Sequence, residues 1–201
     1  MPYIKETFDV TTFPQAKNVV LSDDPNNPKK FDEETDFLVK AIKDFNIVNC
    51  ESIVLDFGCG MGRVSKKLID VFNCNVIGTD ISPSMLQFAN IYVSKPKQFK
   101  TAKSYIDKET IDICLSAFVI QHTESPVVEI NNIYDVLKPN GYFVLLNEHK
   151  RFIPNGVDSQ RYVVWNDDGF DVHGYVETRF KKINSVQYMS QPTEIILYQK
   201  I

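Results

Sequence analysis

Features that mark secreted, membrane and disulfide-bonded proteins are missing from this sequence of 201 residues. It has no signal peptide and no run of about 18 apolar residues, the length needed to span a membrane. Its cysteines form no C-x-x-C pair, so no zinc ribbon or redox motif is indicated, and we expect no metal site. Cysteines in glycine-rich and apolar runs read as reduced core residues. We therefore expect a soluble cytoplasmic protein.

Positive charge is scarce too. The chain has 22 Lys and Arg against 26 Asp and Glu, for a net charge of −4. Binding to a phosphate backbone requires a basic face, so nucleic acid is not the expected partner. An apolar fraction of 43% and this length fit one α/β domain over residues 1–201, with no room for a second. The oligomeric state stays open.

The clearest signal is a buried strand that runs into a glycine-rich turn and a helix, over residues 53–63. Gly58, Gly60 and Gly62 alternate in the turn, and helical periodicity begins at Arg63. Glycine lets the backbone approach a ligand, and a helix N-terminus offers free N–H groups. The third glycine of a dinucleotide fingerprint, Gly-x-Gly-x-x-Gly, would fall on Arg63 and is absent. This spacing disfavours a nicotinamide cofactor.

A second segment, residues 76–86, predicts a short strand that ends in Asp80 and then a helix. Ser82 is the expected helix cap, with Pro83 at the first helical position. A carboxylate at the tip of the second strand can accept hydrogen bonds from ribose hydroxyls. The alternative is an ordinary βαβ unit in which the glycines only shape a turn and Asp80 only caps a helix.

Together these two segments resemble the first motifs of the class I, Rossmann-like S-adenosylmethionine-dependent methyltransferases of small-molecule type. Residues 137–145, a Leu-Lys-Pro-Asn-Gly-Tyr-Phe-Val-Leu run after a predicted helix, are also typical of that family. The resemblance implies a doubly wound, mostly parallel seven-stranded sheet with helices on both faces and a C-terminal antiparallel hairpin. The alternation of helices and strands over residues 32–149 independently predicts a parallel, doubly wound sheet.

Two regions depart from this simple pattern. Residues 1–30 are predicted to form an N-terminal arm packed outside the core or, as in similar small methyltransferases, a lid over the cofactor. Residues 150–178 show no clear period, so we expect an insertion of loops or a short hairpin over the cleft. The usual helix between the fifth and sixth strands is not expected. Residues 183–189 and 194–200 are predicted to be the strands of the closing hairpin.

The resemblance also implies which residues hold S-adenosylmethionine. Asp80 would bind the ribose hydroxyls, and Arg63 would pair with the methionine carboxylate or remain a solvated first-turn arginine. After the third strand, Ser104 or Asp107 would contact the adenine. The predicted cofactor-binding residues are Asp56, Gly58, Cys59, Gly60, Gly62, Arg63, Asp80, Ile81, Met85, Ser104, Ser116, Ala117 and Phe118.

A sulfonium is an excellent leaving group, so catalysis would consist mainly of placing the acceptor in line with the methyl carbon. His122, His149 and Glu148 are the candidate bases, with a structural hydrogen-bonding role as the alternative for each histidine. Trp165, Phe118 and Tyr162 are predicted to wall an acceptor pocket, or else to fill a small core.

Absences in the sequence also narrow the acceptor. No Asn-Pro-Pro-Tyr-like box follows the fourth strand, no cysteine stands at the place of a pyrimidine methylase nucleophile, and no acidic cluster marks a metal-dependent catechol type. The expected reaction is therefore methyl transfer to a small molecule, on oxygen or nitrogen first, with sulfur and carbon as the other acceptor atoms. The alternative is a non-catalytic module that binds S-adenosylmethionine or its product, S-adenosylhomocysteine.

Overall fold

The computed structural model describes residues 5–21, 27–94, 98–101, 105–148, 151–157, 163–189 and 191–201. The helices are α1 Phe13–Val20, α2 Lys30–Phe45, α3 Arg63–Phe72, α4 Pro83–Tyr92, α5 Pro126–Val136 and α6 Val172–Glu177. The strands are β1 Ile53–Phe57, β2 Asn75–Asp80, β3 Gln98–Thr101, β4 Ile111–Ala117, β5 Leu137–Leu146, β6 Ile153–Val157, β7 Val163–Asn166, β8 Phe180–Gln187 and β9 Glu194–Lys200.

Seven strands form one sheet in the order β3-β2-β1-β4-β5-β9-β8, while β6 and β7 form a separate antiparallel pair. Strands β1 to β5 run parallel, and β9 is antiparallel to both β5 and β8. The predicted fold class, including the C-terminal antiparallel hairpin, is confirmed. The order reverses between β1 and β4, and ligands of such sheets bind beyond the carboxyl ends of the strands at that point.

Successive residues of the strands serve two cores, because their side chains point to opposite faces of the sheet. Val54 packs with Leu38 of α2 and Leu68 of α3 on one face. Leu55 packs with Ile130 of α5 and Val172 of α6 on the other. A strand covered on both faces reads as a continuous apolar run, which is why β1 and β4 are clear in the sequence.

The structure corrects the prediction between the fifth strand of the sheet and the closing hairpin. Helix α6 forms there, although no helix was expected. Its 6 residues are too few to show a period, but Asp171 caps it by accepting the Gly174 N–H, and Val172 and Val176 are buried. The two-stranded β6–β7 pair precedes it.

The Lys138-Pro139-Asn140-Gly141 run predicts the end of a helix, followed by a fifth strand from Tyr142 to Leu146, but β5 already begins at Leu137. Leu137 already pairs with Ile111, and a register shift then separates this pair from the main ladder. Asn140 lies within the shifted part, with φ of 62°. A positive φ suits asparagine better than most residues, so the Lys-Pro-Asn-Gly run bends without ending the pairing.

Candidate functional site

The glycine-rich turn after β1 is tied to the end of β2. Gly58, Gly60 and Gly62 have φ of 75°, 53° and 82°, a region that glycine enters without steric cost. The N–H groups of Gly58 and Cys59 both donate to the Thr79 carbonyl, at 2.7 and 2.8 Å. The two segments that the sequence singles out therefore meet at the carboxyl edge of the sheet.

Asp80 makes the closest link between these two segments. One carboxylate oxygen accepts the Gly60 N–H at 2.8 Å, and the other accepts the Ser82 N–H at 2.9 Å. Burial raises the pKa of Asp80, and these backbone donors act against that rise. Of the predicted neighbours, Ile81 is 37% exposed at the rim and Met85 is buried in the α4 first turn.

Asp56 connects β1 to α3 beneath the turn. Its carboxylate accepts the Ser65 hydroxyl at 2.5 Å. Burial raises the pKa of Asp56 to about 6, against the opposing effects of the Ser65 hydrogen bond and the Arg63 charge. This contact is with α3, the helix that follows the turn, and a contact of Asp56 with the cofactor stays a prediction.

Arg63 is a buried cation at the N-terminus of α3. Nη1 donates to the Thr35 hydroxyl at 2.9 Å, and the guanidinium lies 5.5 Å from the centre of the Phe31 ring. Nε is buried and has no hydrogen-bond partner in the part of the chain that the structure describes. Burial lowers the pKa of Arg63, whereas Tyr188 and Glu34 raise it. An unpaired buried donor at a helix N-terminus fits the carboxylate of a bound ligand.

The segment after β4 lies over the turn. Ser116 is fully buried, and its hydroxyl has no hydrogen-bond partner among the described residues. Phe118 adopts φ of 57° and donates its N–H to the Leu146 carbonyl at 2.6 Å. A Cβ added at Gly58 would meet the Val119 side chain at 2.3 Å. A bulky residue at positive φ is uncommon, and such conformations cluster at functional sites.

His122, a predicted base, is held by hydrogen bonds on both ring nitrogens. Nδ1 lies 2.7 Å from the Phe152 carbonyl, so this nitrogen must carry the proton. Nε2 lies 3.1 Å from the side-chain nitrogen of Gln121, which then donates to it. Burial lowers the pKa of His122. This arrangement favours the structural alternative, and the role of His122 as a base stays a prediction.

Glu148 is the second residue after β5 and is half-buried. Its N–H donates to the Gln121 side-chain oxygen at 2.6 Å, and its carboxylate accepts the Thr193 hydroxyl at 3.2 Å. The neighbouring Asn147 side chain accepts the Gln121 N–H at 3.1 Å. Sequence reasoning missed Gln121 and Asn147, because a polar residue at a strand end carries no sign of its distant partner.

The β6–β7 region is attached to the turn after β4. Arg151 donates to the carbonyls of Thr123 and Glu124 at 2.6 and 2.7 Å and pairs with Asp168. The Phe152 N–H donates to the Gln121 carbonyl at 2.9 Å. These contacts bring the predicted insertion to the carboxyl edge of the sheet. Its placement over a ligand stays a prediction.

The N-terminal arm contacts residues predicted to bind the cofactor or to lie next to them. The Ser82 hydroxyl donates to Asp9 at 3.0 Å, and the Val10 N–H donates to the Ser84 hydroxyl at 3.0 Å. A Cβ added at Gly60 would meet Val20 at 2.7 Å. The arm therefore packs on the glycine turn and on the first turn of α4.

Some predicted site residues cannot be assigned contacts. Ser104, His149 and Tyr162 lie outside the described residues. Trp165 lies in β7 and pairs with Pro154 of β6. The residue that contacts the adenine after β3 therefore stays open.

A groove of about 410 Å³ lies on the opposite face of the sheet from the Asp56 and Asp80 side chains, beside α5. It contains none of the predicted site residues, although Phe57 and Thr79 line it from the same strands. In the described part of the chain, no helix is long and apolar enough to cross a membrane.

Comparison with known families and relatives gives consistent matches. A family model described as a methyltransferase domain matches residues 55–145. The chain is 30% identical over 128 residues to phosphoethanolamine N-methyltransferase 1 of Triticum aestivum, covering 60% of this chain and 25% of that protein. It is 30% identical over 105 residues to sterol 24-C-methyltransferase of Kluyveromyces lactis, covering 46% of this chain and 27% of that protein. The chain thus spans about a quarter of the length of these curated relatives.

Solved structures match over more of the chain. The PH0226 protein of Pyrococcus horikoshii OT3 superposes with a TM-score of 0.72 at 20% identity, covering 87% of this chain and 93% of that one. A structure titled as a putative S-adenosylmethionine dependent methyltransferase from Listeria monocytogenes gives a TM-score of 0.66 at 16% identity, covering 84% and 98%. At these identities the structural matches support the fold alone.

Proposed function

We propose that this chain, which belongs to the class I S-adenosylmethionine-dependent methyltransferase family, transfers a methyl group to oxygen or nitrogen of a small-molecule acceptor. The methyltransferase family predicted from the sequence is confirmed by the family model and by the curated relatives, and S-adenosylmethionine is the cofactor that this family implies. The observation that carries the proposed activity is the hydrogen bond from the Gly60 N–H to Asp80, at 2.8 Å. It joins the two motif segments into one surface at the switch point of the sheet.

Residues of both segments fit the cofactor. The Asp80 carboxylate suits the ribose hydroxyls, and the unpaired Nε of Arg63 suits the methionine carboxylate. The glycine-rich turn needs a positive φ at three positions, and glycine adopts it there without steric cost. When bound, S-adenosylmethionine supplies a methyl group on a positively charged sulfur, which is an excellent leaving group.

The chain itself then holds and orients the cofactor and the acceptor, and shields them from water. Fixing two reactants in line is worth about 7–11 kcal/mol of the barrier, so no strong general catalyst is required. We assign the shielding to the N-terminal arm, which contacts Gly60, Ser82 and Ser84. In this role the arm would be a lid on the cofactor.

The acceptor cannot be transferred from the relatives. Their names specify a phosphorylated amine and a sterol carbon, which differ in charge and in the atom methylated. A small metabolite fits the absence of an Asn-Pro-Pro-Tyr-like box after β4. No observation favours a module that binds the cofactor without catalysis.

The test is calorimetric titration of S-adenosylmethionine and S-adenosylhomocysteine into the wild type and Asp80→Asn. Loss of charge-assisted bonds to the ribose should weaken both affinities by roughly 10- to 100-fold. Asp36→Asn is the matched control. Asp36 is an exposed residue of α2 and pairs with Lys67 of α3. Unchanged affinity in Asp80→Asn would remove the assignment of Asp80.

Catalysis is tested separately with the methyl-labelled cofactor and a small-metabolite extract. Label should appear in a small-molecule product with the wild type, and in much less product with Asp80→Asn. Tight cofactor binding without product from any extract would contradict methyl transfer.

A further inference from the structure

The turn between β8 and β9 reaches the carboxyl edge of the sheet. Tyr188, just after β8, is buried, and its N–H donates to the Thr193 carbonyl at 2.8 Å. The Tyr188 hydroxyl donates to Glu34 of α2 at 2.5 Å, and the Thr193 hydroxyl donates to Glu148 at 3.2 Å. The two ends of one turn thus hold two half-buried carboxylates.

Aromatic rings complete this group of side chains. The Tyr188 ring packs edge-on against Phe37 at 5.8 Å and against Phe118 at 5.7 Å between ring centres. Phe37 and Phe118 are half-buried residues. We call Glu34, Phe37, Phe118, Tyr188 and Glu148 the acceptor cluster.

The acceptor cluster lies next to the methionine end of the proposed cofactor site. Phe118, which follows β4, is one of the predicted cofactor-binding residues. Arg63, the proposed partner of the methionine carboxylate, is close enough to Glu34 and Tyr188 for both to raise its pKa. The methionine end is the end that carries the reactive methyl group. An acceptor must therefore approach from a side that carries two carboxylates and aromatic faces.

We infer that the acceptor is an amine with an apolar body, methylated on nitrogen. This inference rests on the proposed function. Carboxylates attract an ammonium group, and aromatic faces bind it by cation–π contact. The same carboxylates repel acceptors that carry a carboxylate or a phosphate next to the reacting atom. Burial and Glu34 raise the pKa of Tyr188, so its hydroxyl remains a donor that holds Glu34 in place.

The methyl-transfer step balances without another reactant. The amine reaches the site as an ammonium ion, and Glu148 takes one N–H proton. The freed nitrogen lone pair forms the new N–C bond to the methyl carbon. The C–S bond breaks with its electrons going to sulfur, which becomes neutral. Glu34 is assigned to binding and Glu148 to proton removal.

Binding provides a readout that does not need turnover. Enzyme saturated with S-adenosylhomocysteine is titrated with 2-phenylethylamine and with 3-phenylpropionate, which share a ring and differ in charge. We expect the amine to bind about tenfold tighter or more, since two carboxylates face it. Glu34→Gln, which keeps an acceptor for the Tyr188 hydroxyl, should weaken amine binding about fivefold or more. Glu51→Gln, an exposed carboxylate before β1, is the control and should change nothing.

Kinetics separate the two carboxylates. With an amine that is turned over, Glu34→Gln should raise KM with little change in kcat, whereas Glu148→Gln should lower kcat about 100-fold. Equal binding of amine and acid, or Glu variants that behave as Glu51→Gln, would overturn the amine assignment.

The product distinguishes failure of this inference from failure of the proposed function. Methyl groups recovered on nitrogen support the inference, and methyl groups recovered on oxygen refute it while leaving methyl transfer intact. If S-adenosylhomocysteine does not bind and no product forms from any pool, the proposed function and the inference both fall.

Discussion

The contact between Gly58 and Val119 supports a quantitative prediction for Gly58→Ala. The added methyl group would lie 2.3 and 2.4 Å from the two Cγ atoms of Val119, far inside van der Waals contact. Overpacking of this kind costs about 1–3 kcal/mol. The backbone has φ of 75°, which costs an L-residue about 1–2 kcal/mol more. The free energy of unfolding should therefore fall by about 2–5 kcal/mol.

Gly169 provides a matched control. Its φ is 74°, almost the same as that of Gly58, but nothing lies within 4 Å of an added Cβ. The free energy of unfolding should thus fall in Gly169→Ala only by the cost of the positive φ, about 1–2 kcal/mol. Any change in the entropy of the unfolded chain is common to both variants and cancels in the comparison.

Urea unfolding of five variants completes the test: Gly58→Ala, Gly169→Ala, Val119→Ala, and the double variants that combine Val119→Ala with Gly58→Ala or with Gly169→Ala. Shortening Val119 should restore about 1–3 kcal/mol of the loss in Gly58→Ala and none in Gly169→Ala. Equal losses of unfolding free energy in Gly58→Ala and Gly169→Ala would refute the close packing of the segment after β4 on the turn. Strictly additive losses in the double variant of Gly58 and Val119 would refute it too.

Three further outcomes are expected. The raised pKa of Asp56, about 6 against an ordinary 3.8, gives stability that is complete below about pH 3.8 and is lost as pH rises through about 6. Asp56→Asn should remove about 3 kcal/mol of this pH dependence in urea unfolding, and an unchanged slope would contradict the burial argument. Arg63→Gln should lower the affinity, measured by calorimetry, for S-adenosylhomocysteine but not for methylthioadenosine, which lacks the carboxylate. Equal losses of affinity for both would contradict the pairing of Arg63 with the methionine carboxylate. Arg151→Met should cost about 1–3 kcal/mol and speed amide exchange at His122, whereas unchanged exchange would show that Arg151 does not hold that turn.

The sheet and its site-bearing turns were predictable because their signals are local. Apolar runs, the Gly58 to Gly62 alternation and the Ser82-Pro83 helix start each lie within a few neighbouring residues. Helix α6 was missed for the complementary reason. Its burial rests on Val172 and Val176 alone, and two apolar residues one turn apart do not distinguish a short helix from a loop.

The contacts within the candidate site depend on residues far apart in the chain. Glu34 and Tyr188 are separated by 154 positions, and neither lies in a recognisable motif. The two hydrogen bonds of His122 involve Gln121 beside it and Phe152 from another segment, so its tautomer could not be inferred from its surroundings in the sequence. Periodicity predicts which face of an element is buried, but it carries no record of which distant polar groups meet there.

The place of β9 in the sheet has a consequence for how the molecule is assembled. Although β9 follows β8 in the chain, it lies between β5 and β8. During synthesis, β5 therefore keeps an open edge until β9 has been made and inserted beside it. Because Tyr188 lies in the turn that joins β8 and β9, the proposed acceptor cluster is complete only when this hairpin has joined the sheet.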